Sequence, residues 1–331
     1  MKIILLFGGR GAEHEVSVLS AGYVYNRLYA LGHEVFPIAI AKSGALFLCK
    51  GILPGAWQKD ASPVRACLDG DTLSFLSNDT RVTPDLVFSV VHGKDGEDGA
   101  WQGLFTLARV PFVGADVCAS ALAMNKRLSK VLAAAAGVPS VPYLAVKKYE
   151  SDLPARVAHR LRYPLFVKPT SGGSSIGVSR VESESALQNA VNLALSEDEE
   201  AMIEEAVDGS EIEVGVLERD GMLLISPPGE LCSKSAFYDY NAKYCEKNTD
   251  FFLPARLSLW ETAYVKQLAA SVFRQLGCRG MARVDFLRGK DGKLFFNEIN
   301  TLPGFTEDSL FPRLFSLIGV DAVTFLTEAH A

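Results

Sequence analysis

Short apolar runs closed by glycine or polar turns recur early in the chain: Lys2 to Phe7 before Gly8-Gly9-Arg10-Gly11, Val35 to Ile40, and Leu86 to Val91. Runs that are apolar at nearly every position suit strands buried on both faces of a parallel sheet. Between the first two, Glu13-His14-Glu15-Val16-Ser17 opens a helical pattern that ends near Gly32. The pattern predicts a β-α unit of an α/β sheet, whose loops at the carboxyl ends of strands commonly bind ligands. The third run delivers a second such loop, His92-Gly93-Lys94-Asp95-Gly96-Glu97-Asp98-Gly99.

Helical spacing returns from Ser120 to Ala136, with Gly137 as a C-cap and Pro139 beyond it, and a new domain is expected there. Short strands at Leu165 to Lys168 and Ala201 to Glu205 flank a helix from about Ser183 to Leu195. Glu211 to Leu217 and Met222 to Ile225 surround Asp220-Gly221, a hairpin signal. Ser233 to Asp250 is polar, tyrosine-rich and aperiodic, which inside a compact enzyme predicts a mobile lid. Leu259 to Leu276 reads as a long amphipathic helix stopped by Gly277.

The last two strands carry polar groups in a telling arrangement. In Lys293 to Gly304, Glu298 and Asn300 are two residues apart on an otherwise apolar strand and so share one face. Arg283-Val284-Asp285-Phe286 repeats the device with a cation and a carboxylate. Paired across a sheet, the two segments would bring Asp285, Glu298, Asn300 and Arg283 together. Two carboxylates and an amide are hard oxygen ligands that suit Mg2+, so a metal-nucleotide site is expected.

At 331 residues the chain exceeds a single core, and two or three domains sharing a cleft are expected. A net charge of -6 without a Lys/Arg run disfavours a nucleic-acid partner. The six cysteines, Cys49, Cys67, Cys118, Cys232, Cys245 and Cys278, include no C-x-x-C pair and are expected to be reduced, in a cytoplasmic protein. The first apolar run is shorter than a signal-peptide core. No stretch approaches the roughly 20 apolar residues of a membrane helix, so no membrane partner is expected.

Lys168-Pro169-Thr170-Ser171-Gly172-Gly173-Ser174-Ser175-Ile176-Gly177 sets a lysine before a Gly/Ser loop, where small residues let backbone N–H groups approach phosphate oxygens. It lacks the order of a Walker A loop. With this loop the sequence resembles the D-alanine–D-alanine ligase family of the ATP-grasp superfamily over essentially its whole length. The matching segments are Gly8-Gly9 through Glu13-His14-Glu15-Val16-Ser17, Val91-His92-Gly93 with Gly96 to Gly99, Met124-Asn125-Lys126, Lys168-Pro169 with Gly173 to Gly177, Tyr238 to Tyr244, Arg283-Val284-Asp285, and Asn297 to Gly304.

The resemblance implies an ATP-grasp fold, α/β and α+β, with a parallel-sheet, Rossmann-like N-terminal domain over 1–117, a central subdomain over 118–206, and a C-terminal domain over 207–331 that carries the lid at 233–250. It implies that Lys126 and Lys168 hold the α and β phosphates of ATP, that Lys243 reaches the γ phosphate, and that Glu204, Glu205, Val207 and Glu211 meet adenine and ribose. Asp285, Glu298 and Asn300 would ligate two Mg2+ ions, or Mn2+. Glu13 would pair with the ammonium of the first D-alanine, with His92 near its carboxylate. Glu13, Ser174 and Tyr244 correspond to a hydrogen-bonded set linking substrate, loop and lid, so that closure excludes water. Arg283 and the N–H of Gly304 would stabilise an oxyanion, while Ser309 and Leu310 would receive the second amino acid.

The implied reaction joins two D-alanines through a D-alanyl phosphate to make D-alanyl-D-alanine for peptidoglycan, in a homodimer. The chain departs from the family pattern at Gly11, at Asn241, and at Glu307-Asp308, which set negative charge beside the second-substrate pocket. The rival readings are a D-alanine–D-serine ligase, a D-lactate type that Tyr244 argues against, and a non-catalytic nucleotide-binding ATP-grasp module.

Overall fold

In the computed structural model, which describes residues 1–52, 57–77, 80–148, 152–233 and 249–330, the chain is organised around three sheets. Lys2–Gly8 lies parallel between Glu34–Ile40 and Leu86–Ser89. Its positions Ile3 to Phe7 are wholly buried, as an apolar run with no polar face requires. Beyond Glu34–Ile40 the same sheet continues antiparallel through Leu46–Leu48, Ser62–Asp69, Thr72–Leu76 and Arg81–Val82. The parallel part is thus the core of a mixed sheet. Its extension has little apolar signal, because Ser62–Asp69 is mostly exposed.

At the end of the first strand Gly8 has φ +89°, and a Cβ there would lie 2.3 Å from the Ile40 carbonyl oxygen. Gly9 N–H bonds that same carbonyl at 2.8 Å. Glycine is needed for both the dihedral and the approach, and the turn delivers Glu13 to the start of helix His14–Ala30.

The second sheet is antiparallel, ordered Ser179–Val181, Leu165–Pro169, Glu200–Glu205, Tyr143–Lys147. Val157 from helix Leu153–Arg160 and Leu187, Val191 and Ala194 from helix Glu184–Glu197 complete its core. The third sheet runs Thr249–Phe252, Gly229–Ser233, Gly209–Arg219, Met281–Gly289, Leu294–Asn300, with Met222–Ile225 paired to Gly209–Arg219. The hairpin turn Asp220-Gly221 has φ values of 52° and 78°, the left-handed pair that a type I′ turn demands. Helix Leu259–Gln275 covers this sheet and starts with a capping box between Ser258 and Glu261. Of the expected lid, residues 234–248 lie outside the described residues. Its flanks are ladder rather than loop, with Ser233 opposite Thr249.

The helical stretch expected from Ser120 to Ala136 is two helices, Val117–Met124 and Lys126–Ala135. They break at Asn125, whose extended backbone lets Oδ1 accept from Leu128 N–H at 2.9 Å, an N-cap. Lys126 N–H bonds the Thr170 carbonyl instead, at 2.9 Å. Apolar periodicity runs through this break because both helices pack on the third sheet, where Ala119, Ala123 and Ala133 share a core with Val214, Val272, Val284 and Phe296. The core of the first sheet likewise continues into Phe305, Phe311 and Phe315.

Gly8→Ala is expected to cost about 1–3 kcal/mol, from strain at the left-handed φ and the clash with Ile40. Gly11→Ala, which would meet nothing within 4 Å, should stay within about 0.5 kcal/mol. Urea midpoints of the two variants check the contrast, and equal midpoints would refute it.

Candidate active site

A cleft of about 730 Å³ is bordered by Glu13, His92, Lys126, Ser174, Arg283, Glu298, Asn300, Gly304, Ser309 and Leu310. One wall is the strand Leu294–Asn300, and its register sets the chemistry. Arg283 stands opposite Asn300 and Asp285 opposite Glu298, but Phe286 stands opposite Phe296. Asn297 is therefore a bulge, an extra residue with no opposite number. Through it Phe296 and Ile299 both enter the core, while Glu298 and Asn300 share the cleft side as their two-residue spacing predicts. Asn300 Oδ1 also accepts from Leu302 N–H at 3.0 Å, which steers the chain into the Pro303-Gly304 turn.

Three lysines hold three consecutive residues of this strand. Lys126 lies 3.3 Å from Glu298, Lys168 donates to Asn297 Oδ1 at 3.2 Å, and Lys130 donates to the Phe296 carbonyl at 3.1 Å. Lys126 also donates to the Gly172 carbonyl at 2.5 Å, tying helix and Gly/Ser loop together. Glu204, only 3% exposed, does not lie at a solvated strand edge. Its carboxylate pairs with Lys168 and, at 3.3 Å, with Lys130. Burial pushes the Glu204 carboxyl up, but the two ammoniums outweigh it and hold it below the usual range. Burial pulls the Lys130 ammonium down to about 8 against the attraction of Glu204.

Behind Asn300, Arg283 binds Asp285 through two parallel bonds of 2.8 and 2.7 Å and lies 3.1 Å from Glu213. Burial disfavours the guanidinium charge, but Asp285 and Glu213 more than compensate and hold it well above its ordinary value. Carboxylate oxygens of Glu211, Glu213 and Asp285 lie within 4.8 Å of one another. Glu205 accepts from Arg162 N–H at 2.9 Å, and Val207 is half-buried in the connection from the second to the third sheet.

On the opposite wall Ser174 donates to Glu13 at 2.5 Å. Ser174 and Ser175 both have left-handed backbones, φ 51° and 57°, a strain that non-glycine residues keep where function or surroundings require it. The Glu13 carboxylate packs so closely on Gly93 that a Cβ there would come within 2.2 Å. His92, buried, bonds the Leu302 carbonyl at 3.0 Å and Ser20 Oγ at 3.1 Å, with Glu97 3.5 Å away. Burial would lower the His92 pKa, but Glu97 and then Glu13 raise it above the ordinary value, which favours the imidazolium. Ser309 Oγ accepts from Thr306 N–H at 3.0 Å, and Leu310 is buried beside it. Lys243 and Tyr244 lie outside the described residues.

Sequence reasoning missed Lys130, Glu213 and Asn297. The signals were present: Lys130 follows Lys126 by one helical turn and Glu213 follows Glu211 on the same strand face. Asn297 is legible only as a break in alternation.

Residues 2–115 match the family profile described as D-ala D-ala ligase N-terminus, and residues 132–328 match D-ala D-ala ligase C-terminus. The chain is 40% identical to a D-alanine–D-alanine ligase of Corynebacterium aurimucosum, covering 97% of this chain and 94% of that one. It is 37% identical to the enzyme of that name from Caldicellulosiruptor bescii, over 97% and 91%. Among solved structures, the VanG D-Ala:D-Ser ligase from Enterococcus faecalis superposes with a TM-score of 0.91 at 34% identity, covering 100% of this chain and 99% of that one. The D-alanine–D-alanine ligase from Coxiella burnetii superposes at 0.86 with 31% identity, over 100% and 94%.

Arg283→Met should remove the cation shared by the buried carboxylates of Glu213 and Asp285 and cost about 3–5 kcal/mol near neutral pH. Without the guanidinium their folded-state pKa values rise above the unfolded ones, so proton binding favours the folded state and the deficit shrinks as pH falls. Urea midpoints at pH 7.5 and pH 5 test this; a deficit that grows on acidification would contradict it.

Proposed function

This chain belongs to the D-alanine–D-alanine ligase family, and from that premise we propose that it joins two D-alanines to make D-alanyl-D-alanine for peptidoglycan, converting ATP to ADP and phosphate in the cytoplasm. The observation that carries the reading is the register that puts Arg283 opposite Asn300 and Asp285 opposite Glu298, with Glu298 and Asn300 bordering the cleft that also holds Glu13 and Ser174.

In this reading the first D-alanine docks its ammonium on Glu13, which the Ser174 bond and the Gly93 approach hold in place. Its carboxylate attacks the γ phosphorus of ATP, ADP leaves, and a D-alanyl phosphate forms. The neutral amine of the second D-alanine, held at Ser309 and Leu310, then attacks the acyl carbon, and phosphate departs. Arg283 suits stabilisation of the oxyanion, since its five N–H donors exceed what Asp285 accepts. Gly304 N–H is the second proposed donor. Lys126 and Lys168 receive the nucleotide phosphates, with Lys243 joining from the lid, and Glu204, Glu205, Val207 and Glu211 form the adenine and ribose side. Asp285, Glu298 and Asn300 offer only hard oxygen donors, which fits Mg2+ or Mn2+. When bound, such ions supply charge neutralisation for the transferring phosphoryl group.

The proposed units are 1–117, 118–206 and 207–331, with helices Val117–Met124 and Lys126–Ala135 bridging the second and third. No helix among the described residues is long and apolar enough to cross a membrane. The proposed homodimer would cover Leu19, Tyr29 and Leu31, large apolar side chains exposed on and just after the first helix.

Phosphate release should require D-alanine and Mg2+ or Mn2+ together and stop in excess EDTA; turnover in EDTA would sink the metal assignment. Glu298→Gln should lower kcat far more than Tm, because it removes a ligand's charge and little volume.

A second reading has specific support: the VanG structure is that of a D-Ala:D-Ser ligase. Against it stands the buried Leu310 beside Ser309, since a serine hydroxyl that met Leu310 without a hydrogen-bond partner would cost about 1–3 kcal/mol. D-serine should therefore compete poorly, at a roughly 5- to 150-fold disadvantage. Equal concentrations of D-alanine and D-serine, with products read by mass spectrometry, decide between them; predominant D-alanyl-D-serine would show that Glu307 or Asp308, which also border the cleft, partners the serine hydroxyl.

A further inference from the structure

Lys130 is the most deeply buried of the three lysines behind the cleft, 1% exposed against 7% for Lys168 and 9% for Lys126. A buried ammonium is costly unless it is paired and hydrogen-bonded, and Lys130 is both. Its Nζ donates to the Phe296 carbonyl at 3.1 Å and lies 3.3 Å from Glu204 Oε2. The other oxygen of Glu204 takes Lys168. Two ammoniums therefore share one buried carboxylate, and only one of them carries a phosphate-binding role.

We infer that Lys130 is a positioning residue for the nucleotide: it keeps Glu204 neutralised while Lys168 transfers from that carboxylate to the phosphates. The inference rests on the proposed binding of ATP by Lys168. Nucleotide binding must redirect the Lys168 ammonium, which in the free protein is held by Glu204 and Asn297. Were Lys168 the sole partner of Glu204, each binding event would leave a carboxylate buried and alone, and that penalty would subtract from ATP affinity. With Lys130 in place Glu204 keeps a counter-charge throughout. The pair of ammoniums against one carboxylate also leaves the region with a net positive charge, favourable to an incoming polyphosphate. The bond to Phe296 fixes Lys130 beside the Asn297 bulge, so the same side chain that balances Glu204 also fastens the strand carrying Glu298.

The test is a double-mutant cycle in the full-length protein with Lys130→Met, Glu204→Gln and the pair, read by steady-state kinetics with Mg2+ and by calorimetry of ADP binding. Lys130→Met should raise KM for ATP and Kd for ADP by about tenfold or more and leave KM for D-alanine within about twofold. In the Glu204→Gln background, where no buried carboxylate is left to lose its counter-charge when Lys168 moves, the same substitution should change both by less than about threefold. A penalty of equal size in both backgrounds, or a fall in Tm with nucleotide affinity unchanged, would overturn the inference and leave Lys130 a structural lysine. Should Lys130→Met not fold, Lys130→Gln, whose amide can still donate to Phe296, takes its place in the same cycle. A wild-type protein that binds ADP yet releases no phosphate with D-alanine would count against the ligase reading alone, and the ADP arm would still decide the case of Lys130.

Discussion

One extra residue, Asn297, sets the geometry of the cleft. Along Leu294–Asn300 the core needs Phe296 and Ile299, which lie three positions apart and would face opposite sides of a regular strand. The bulge removes the conflict: Phe286 pairs with Phe296 on one side of it and Asp285 with Glu298 on the other. Both apolar side chains are buried, and Glu298 and Asn300 are left together on the cleft. A strand without the bulge would have to expose a large apolar side chain or bury Glu298. The expelled Asn297 is used as well, because its amide oxygen receives Lys168.

The second organising feature is that the charged groups around the cleft are paired with one another. Lys126 rests on Glu298, Lys168 and Lys130 on Glu204, and Arg283 on Asp285 and Glu213. Isolated, each buried charge would cost several kcal/mol; paired, the set can be assembled before any ligand arrives. Binding of an anionic nucleotide with its cations is then an exchange of partners rather than a creation of new charge pairs. For the proposed site, such an exchange would favour more ammoniums than local carboxylates where the phosphates are proposed to bind and more carboxylates than cations where the metal is. Lys130 and Lys168 share Glu204, and Glu213 and Asp285 flank Arg283, with carboxylate oxygens of Glu211, Glu213 and Asp285 within 4.8 Å of one another.

The parts of the fold legible in the sequence are those governed by local rules. Double-sided burial marked the first strand, the φ demands of a type I′ turn marked Asp220-Gly221, and two-residue spacing put Glu298 with Asn300 because the bulge falls before that pair. What was not legible depends on competition between local and distant forces. The helix break at Asn125 is invisible to periodicity, since apolar positions on both sides pack on the same sheet; only the side-chain cap and the bond from Lys126 N–H to Thr170 reveal it. The antiparallel extension from Leu46 to Val82 was missed because its exposed strands lack an apolar stripe. Glu204 was singled out only through the family resemblance, as a nucleotide contact; that it is also the hub of two lysines is set by strand packing and not by its neighbours in sequence.

The break at Asn125 and the bulge at Asn297 also tie one wall of the cleft to a common centre. Both irregularities end in hydrogen-bonded partners: Lys126 on the Gly/Ser loop through Gly172, and Asn297 on Lys168. They fasten the helix, the second sheet and the strand Leu294–Asn300 to a common centre, so displacement of one element is felt by the other two. The Gly/Ser loop meets the residue before the first helix through the bond from Ser174 to Glu13, with Ser174 in a left-handed backbone. A hydrogen bond of that kind is easier to remake than a packed core, which would suit the proposed admission of an amino acid there, while the lysines opposite have their charges balanced in advance.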